Sequence, residues 1–209
     1  MSWTRPQMAE RLARELQDGW IVNLGVGMPT LVCDVDLGDR EVIFHAENGV
    51  IGFGPVAPPG QEDVNLVDAS RRHITLNPGA AIVHHADSFA LIRGGRIDAP
   101  ILGCYEAAAT GGFANGTVKG AKGGVIGGAM DLAACAKRVF LMMEHRMRDG
   151  TPRLLARCTL PITARGVVTL VVTDLGLFSP AGEAFRVRDL APGVRLDEVR
   201  AATACPVVE

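Results

Sequence analysis

Residues 41–55 read EVIFHAENGVIGFGP: an apolar run that ends on one acid, Glu47, and then on a burst of glycines. The run EVIFHA (41–46) is continuous rather than alternating, which marks a strand covered on both faces. Comparable runs recur at WIVNL (20–24), AAIVHH (80–85), APILGCY (99–105), RVFLMME (138–144) and GVVTLVVTD (166–174). Helical candidates separate several of them: SFALIR (88–93), MDLAACAKR (130–138) and LDEVRAAT (196–203). Strands alternating with helices imply an α/β class, with an open, largely parallel sheet flanked by helices. No linker, repeat or low-complexity tract interrupts residues 1–209, so a single domain is expected. The PAGE and APGV turns of the C-terminal third leave room for an antiparallel hairpin.

The N-terminus supplies a further helix. Thr4-Arg5-Pro6-Gln7 places a Thr as N-cap, a Pro in the first turn and a Gln three residues after the cap. Met8, Leu12 and Leu16 then recur at four-residue spacing, and Asp18-Gly19 ends the helix.

Glu47 has two readings. One is a turn with a solvated acid. The other is a carboxylate that something must approach closely, with side chains stripped from around it. In open parallel sheets, ligands sit beyond the carboxyl ends of the strands. Three glycine clusters follow strand-like runs here: NLGVGMPT (23–30), ENGVIGFGP (47–55) and KGAKGGVIGGAMDL (119–132). The first lacks the third glycine of a dinucleotide fingerprint, since Pro29 intrudes and Thr30 stands in its place. No Gly-Lys dipeptide occurs, which removes the phosphate-binding loop of nucleotide hydrolases, so any acyl activation must come from the substrate. In the third cluster, Gly127-Gly128-Ala129 opens a helix. It either offers backbone N–H groups to an anion or oxyanion, or packs helix on strand through small residues.

Composition narrows the classes. With 48% hydrophobic and 21% charged residues the chain is globular, and a net charge of -2 gives no footprint for nucleic acid or for a membrane surface. The N-terminal segment is charged throughout, unlike a signal peptide, and no window of about eighteen apolar residues exists, so a cytoplasmic protein is expected. Five cysteines (33, 104, 135, 158, 205) lie mostly inside apolar runs without CxxC spacing, as buried thiols do. The five histidines form no HExxH pattern, and His84-His85, read as strand neighbours, would face opposite sides, so no metal is assigned.

The order of the motifs also carries a resemblance. NLGVGMPT, AENGVIGFGP, NPGAAIVHHADSFALIRGG, GGAMDLAACAKRV, MMEHRMRDGTPRLLARCTLPIT and VVTDLGLF follow one another as in family I coenzyme A transferases. They are similar to the B (beta) subunit of 3-oxoacid CoA-transferases from about residue 5 to 200. The resemblance implies an open α/β fold and an active site shared with an A (alpha) subunit in an α2β2 heterotetramer. It implies coenzyme A as substrate and no permanently bound cofactor. It implies that Glu47 is the nucleophile, accepting an acyl group from an acyl-CoA such as succinyl-CoA and then the CoA thiol, before a second acid such as a 3-oxoacid leaves as the new ester. Gly127, Gly128 and Ala129 correspond to the loop that lines the thioester, Asn23, Gly25 and Gly27 to the turn beside the nucleophile, and Asn48 and Gly49 to its own turn. Arg71 stands where such enzymes usually carry Lys, either as a surviving basic contact or as an exposed charge.

Several positions depart from that pattern. HAENG replaces SENG, GGFANGTVKG replaces a GNLANW segment, Val125 replaces a loop glycine, and Glu106 replaces a usual Gln. The lost Trp opens volume, and Glu106 is expected to alter which substrate carboxylate is tolerated. His45, two residues before Glu47, would either orient an acid or fill space, with space-filling favoured. These departures leave a CoA-ester decarboxylase or hydrolase, and a glutaconate-type transferase, as alternative activities on the scaffold.

Overall fold

The computed structural model describes residues 2–117, 124 and 127–209. The chain opens with α1 (Arg5–Ala13), capped as its sequence dictates: Thr4 Oγ1 accepts from Gln7 N–H and the Gln7 side chain accepts in return from Thr4 N–H at 2.9 Å. It ends earlier than the Leu16 spacing suggested, although Leu16 is buried with Met8 and Leu12.

The central strands are β1 (Ile21–Leu24), β2 (Ile43–Ala46), β5 (Ala99–Leu102), β8 (Val139–Met142) and β10 (Val168–Thr173). They pair in parallel in the order β10-β8-β5-β1-β2. Antiparallel additions extend both sides of this block. On one side lie β3 (Val50–Val56) and β4 (Ile74–Ile82); on the other lie β11 (Gly176–Pro180) and β12 (Phe185–Leu190), and β13 (Val207–Val208) joins outermost, parallel to β12. The hairpin expected at the PAGE turn is β11–β12, closing at Pro180 and Phe185, and β10–β11 forms a second one that closes at Thr173 and Gly176. A small second sheet joins β7 (Phe113–Ala114), β6 (Glu106–Ala108) and β9 (Leu154–Leu155).

Both faces of the central strands are covered, which is why their sequences do not alternate in polarity. Side-chain direction still alternates. Val22, Leu24, Phe44, Ala46, Phe140 and Met142 pack in one cluster with α1, while Leu141 and Met143 join a second cluster. That second cluster contains Ile92 of α2 (His85–Arg93), Leu132 of α3 (Ala129–Cys135) and Val199 of α4 (Leu196–Ala202). Asn23 and His45 turn toward α2. Among the described residues no helix is long and apolar enough to cross a membrane.

Three expectations need correction. AAIVHH is not a strand buried on both faces: residues 80–82 finish β4, an edge strand of the large sheet, and Ile82 is 66% exposed. His84 and His85 are not strand neighbours either. His84 caps α2, its Nδ1 accepting from Ala86 N–H at 3.1 Å, and His85 is the first helical residue. The ENGVIGFGP cluster is likewise mostly the strand β3, in which Gly52 (φ 76°) breaks the register with β4.

Candidate active site

A cavity of about 490 Å³ opens at the carboxyl ends of β1, β2 and β5, where a parallel sheet exposes its loops. Glu47 enters it from the turn between β2 and β3. Two features hold that turn. Gly49 adopts φ 115°, and a Cβ there would collide with the Val83 carbonyl, so only glycine fits. Asn48 Nδ2 donates to the Val67 carbonyl at 2.9 Å, tying the turn to the loop over residues 66–72.

The Glu47 carboxylate has no hydrogen bond or ion pair among the described residues. It is half-buried and faces the N-cap of α3. A Cβ added at Gly128 would collide with Glu47 Oε2 and stand 3.0 Å from Phe89 Cζ. One added at Gly127 would lie 3.9 Å from Glu47 Oε1. The two glycines thus leave the acid open at close range. Arg93 Nε donates to Asp131 Oδ1 at 2.7 Å and links α2 to α3 near this contact.

Beneath the acid runs a buried polar chain. Asn23 Nδ2 donates to His45 Nδ1 at 3.0 Å, which leaves the His45 proton on Nε2 to donate to Ser88 Oγ at 2.9 Å. All three residues are buried, and burial lowers the His45 pKa to about 4, so the ring is neutral at pH 7. His45 therefore fixes Asn23 and α2 relative to one another; it fills its space with satisfied hydrogen bonds.

The glycine turn after β1 approaches β5 closely. A Cβ at Gly25 would stand 3.0 Å from the Ile101 carbonyl and 3.2 Å from Leu102 Cδ2. Gly27 (φ 88°) caps the 3₁₀ helix over Met28–Asp34 and donates its N–H to Ser70 Oγ at 2.8 Å. Arg72 secures the neighbouring loop: it pairs with Asp68 at 2.7 Å and Asp34 at 2.6 Å, and donates to the Thr30 carbonyl at 2.5 Å.

Of the residues singled out from the sequence, Asn23, Gly25, Glu47, Gly127, Gly128 and Ala129 line the cavity together. Gly27, Asn48 and Gly49 shape its turns without lining it. Arg71 and Glu106 do not reach it. Arg71 is exposed, with φ 62°, and Ala69, two positions earlier, lines the wall instead. Glu106 is the correction with the clearest cause. Its neighbour on the chain, Tyr105, lines the cavity, and strand alternation turns Glu106 the other way. There its carboxylate accepts from the N–H groups of Thr159 at 2.6 Å and Leu160 at 2.9 Å, and from Thr159 Oγ1 at 2.6 Å. Val125 lies outside the described residues, as do 118–123 and Ile126.

Sequence reasoning missed three polar members of the wall: Tyr105, Asn115 and Arg153. Arg153 had a signal, a lone cation set against the apolar Leu154-Leu155. Cys104 also lines the cavity, and burial pushes its thiol pKa up to about 12, so it stands there as an uncharged apolar group.

An unpartnered carboxylate beside bare backbone, at the carboxyl end of a parallel sheet, is open to close approach by a ligand. Residues 5–202 match the coenzyme A transferase family, and the chain belongs to it. Among individual relatives, it is 41% identical over 208 residues to the B (beta) subunit of the 3-oxoadipate CoA-transferase of Pseudomonas putida, covering 99% of this chain and 97% of that one. It is 41% identical over 201 residues to the corresponding subunit of the succinyl-CoA:3-ketoacid coenzyme A transferase of Helicobacter pylori, covering 95% and 96%. The fold is similar to that of an acyl-CoA transferase from Escherichia coli O157:H7, with a TM-score of 0.77 at 19% identity. That match covers 99% of this chain, which spans 42% of the longer one.

Proposed function

We propose that this chain is the B-type subunit of a two-subunit CoA-transferase, moving coenzyme A from an acyl-CoA such as succinyl-CoA to a carboxylic acid such as a 3-oxoacid. The observation that carries this reading is the Glu47 carboxylate, unpartnered among the described residues, facing Gly127 and Gly128 inside the cavity. Its oxygen attacks the thioester carbonyl; the C–S bond breaks, releasing CoA thiolate and leaving a mixed anhydride. The thiolate attacks the Glu47 carbonyl, the anhydride C–O bond breaks, and the donor acid leaves as its carboxylate. The acceptor carboxylate then attacks the glutamyl thioester, and the freed thiolate takes the acceptor acyl group, restoring Glu47. No proton, metal or redox partner is consumed in this cycle.

The physical difficulty is that a carboxylate is a weak nucleophile in water. A wall of bare glycine and apolar side chains replaces part of its hydration shell, and the site holds the reacting carbons at attack distance. Backbone N–H groups at the start of α3 are suited to the developing oxyanion. Relatives designated as one of two CoA-transferase subunits support a complementary A-type subunit, which we place over the cavity mouth in an α2β2 assembly. We also propose that residues 1–209 act as one domain, since one sheet runs from Ile21 to Val208. The five free cysteines suit a reducing, cytoplasmic setting.

The test is mass spectrometry of the reconstituted complex against a panel of CoA esters and free acids. Exchange of CoA between acids, with total thioester conserved, is expected and should vanish in Glu47→Gln. Net loss of carbon dioxide or of thioester without exchange would instead assign a decarboxylase or hydrolase.

A further inference from the structure

Arg153 is a buried cation with no carboxylate in contact; Glu144 and Asp174 act on it only from beyond ion-pair distance. It is 9% exposed, and no carboxylate lies within ion-pair distance of it among the described residues. The small sheet delivers it to the cavity. Arg153 directly precedes β9, its carbonyl accepts from Ala107 N–H of β6 at 2.9 Å, and its side chain reaches back to the segment after β5. There Nε donates to the Tyr105 carbonyl at 3.0 Å, and Nη2 donates to the Cys104 carbonyl. A guanidinium carries five N–H donors, so Nη1 and the second Nη2 proton stay without a protein acceptor among the described residues. Burial lowers its pKa, yet a guanidinium keeps its charge at neutral pH.

Asn115 adds donors to the same wall. Its backbone N–H donates to Thr163 Oγ1 at 3.1 Å, and that hydroxyl donates back to Asn115 Oδ1 at 2.7 Å. The amide oxygen thereby accepts one bond, and Nδ2 has no protein acceptor among the described residues at this cavity-lining position. Among the described residues, the charged groups of the lining are then one carboxylate, Glu47, and one cation, Arg153. An unpaired buried charge is costly unless a ligand supplies its partner.

We propose that Arg153, together with the Asn115 amide, anchors a second carboxylate at the far end of the acyl chain, so that the site selects dicarboxylic over monocarboxylic acyl groups. This rests on the reading of Glu47 as the acyl acceptor: one end of the substrate reacts there while the other is held by the guanidinium fork. The apolar neighbours Leu132 and Met142 suit the methylene chain between the two ends. A CoA phosphate would also satisfy a guanidinium, but the nucleotide end of CoA is bulky and strongly hydrated, whereas Arg153 is buried.

The experiment compares succinyl-CoA with butyryl-CoA, which share a four-carbon chain and differ in the terminal carboxylate, using the complex with its A-type subunit. The wild type should favour succinyl-CoA in kcat/KM by about 100-fold, as expected for a buried charge pair. Arg153→Met should lower that ratio by about 100-fold, and Arg153→Lys, which keeps charge but loses the fork, by about tenfold. A wild type that uses the two esters equally overturns the proposal, and that arm requires no variant to fold. A proportional loss with both esters in Arg153→Lys also overturns it, pointing to a CoA-phosphate contact or to the two carbonyl contacts alone. No exchange with any ester would instead refute the Glu47 reading.

Discussion

Replacing Gly128 with Ala separates the proposed acyl acceptor, Glu47, from the fold. Gly128 has φ -78°, open to any residue, so the substitution carries no backbone strain. As the N-cap of α3 it forfeits the glycine preference, a cost of roughly 1 kcal/mol. For a chain of this size that lowers Tm by about 2–4 °C. The added methyl, however, would occupy the place of Glu47 Oε2 and crowd Phe89 Cζ at 3.0 Å. The carboxylate is the free end of a flexible side chain and swings away at little cost in stability, taking the attacking oxygen with it. A displacement on the order of 1 Å at a reacting atom costs about 100-fold in rate. We expect kcat in the reconstituted complex to fall by about 100-fold or more while the thermal melt moves only a few degrees. Turnover within about threefold of wild type would refute the assignment of Gly128 as clearance for the nucleophile.

Other perturbations test other parts. Gly49→Ala combines φ 115° with a collision against the Val83 carbonyl, backbone that cannot swing aside, and should cost about 3 kcal/mol or more in denaturant unfolding. His45 and His145 are both held by burial at a pKa of about 4, below their ordinary 6.5, so the unfolded chain binds protons that the native state refuses. Their contribution is complete above pH 6.5 and is lost as pH falls toward 4, roughly 3 kcal/mol for each; His45→Gln should flatten part of that slope in urea titrations across pH 4 to 7. Glu106→Gln leaves one oxygen for three donors and should cost about 1–2 kcal/mol in stability, with the ratio of kcat/KM between acids unchanged. A changed ratio would return Glu106 to the acyl pocket.

Much of this architecture was legible because it rests on local chemistry. The α1 cap could be read from Thr4 and Gln7, the parallel strands from runs apolar on both faces, and the acid of the cavity from a Glu47 set among glycines. What escaped depended on chain segments meeting across the fold. Glu106 looked like a pocket residue until the strand face was fixed, and its partners lie more than fifty positions away at Thr159 and Leu160. Arg153 reaches Cys104 and Tyr105 through the pairing of β9 with β6, a register that no short motif encodes. AAIVHH misled because its apolar residues lie on an edge strand, and because a histidine can cap a helix as well as continue a strand.

Chemical trapping of the acyl acceptor bears most directly on the central claim. The complex is incubated with acyl-CoA, treated with borohydride or hydroxylamine, digested and analysed by mass spectrometry. Conversion of the Glu47 side chain to the alcohol by borohydride, or to the hydroxamate by hydroxylamine, only when acyl-CoA is present, is the predicted result. Continued CoA exchange with an unmodified Glu47 peptide, under conditions that trap a model thioester, would contradict it.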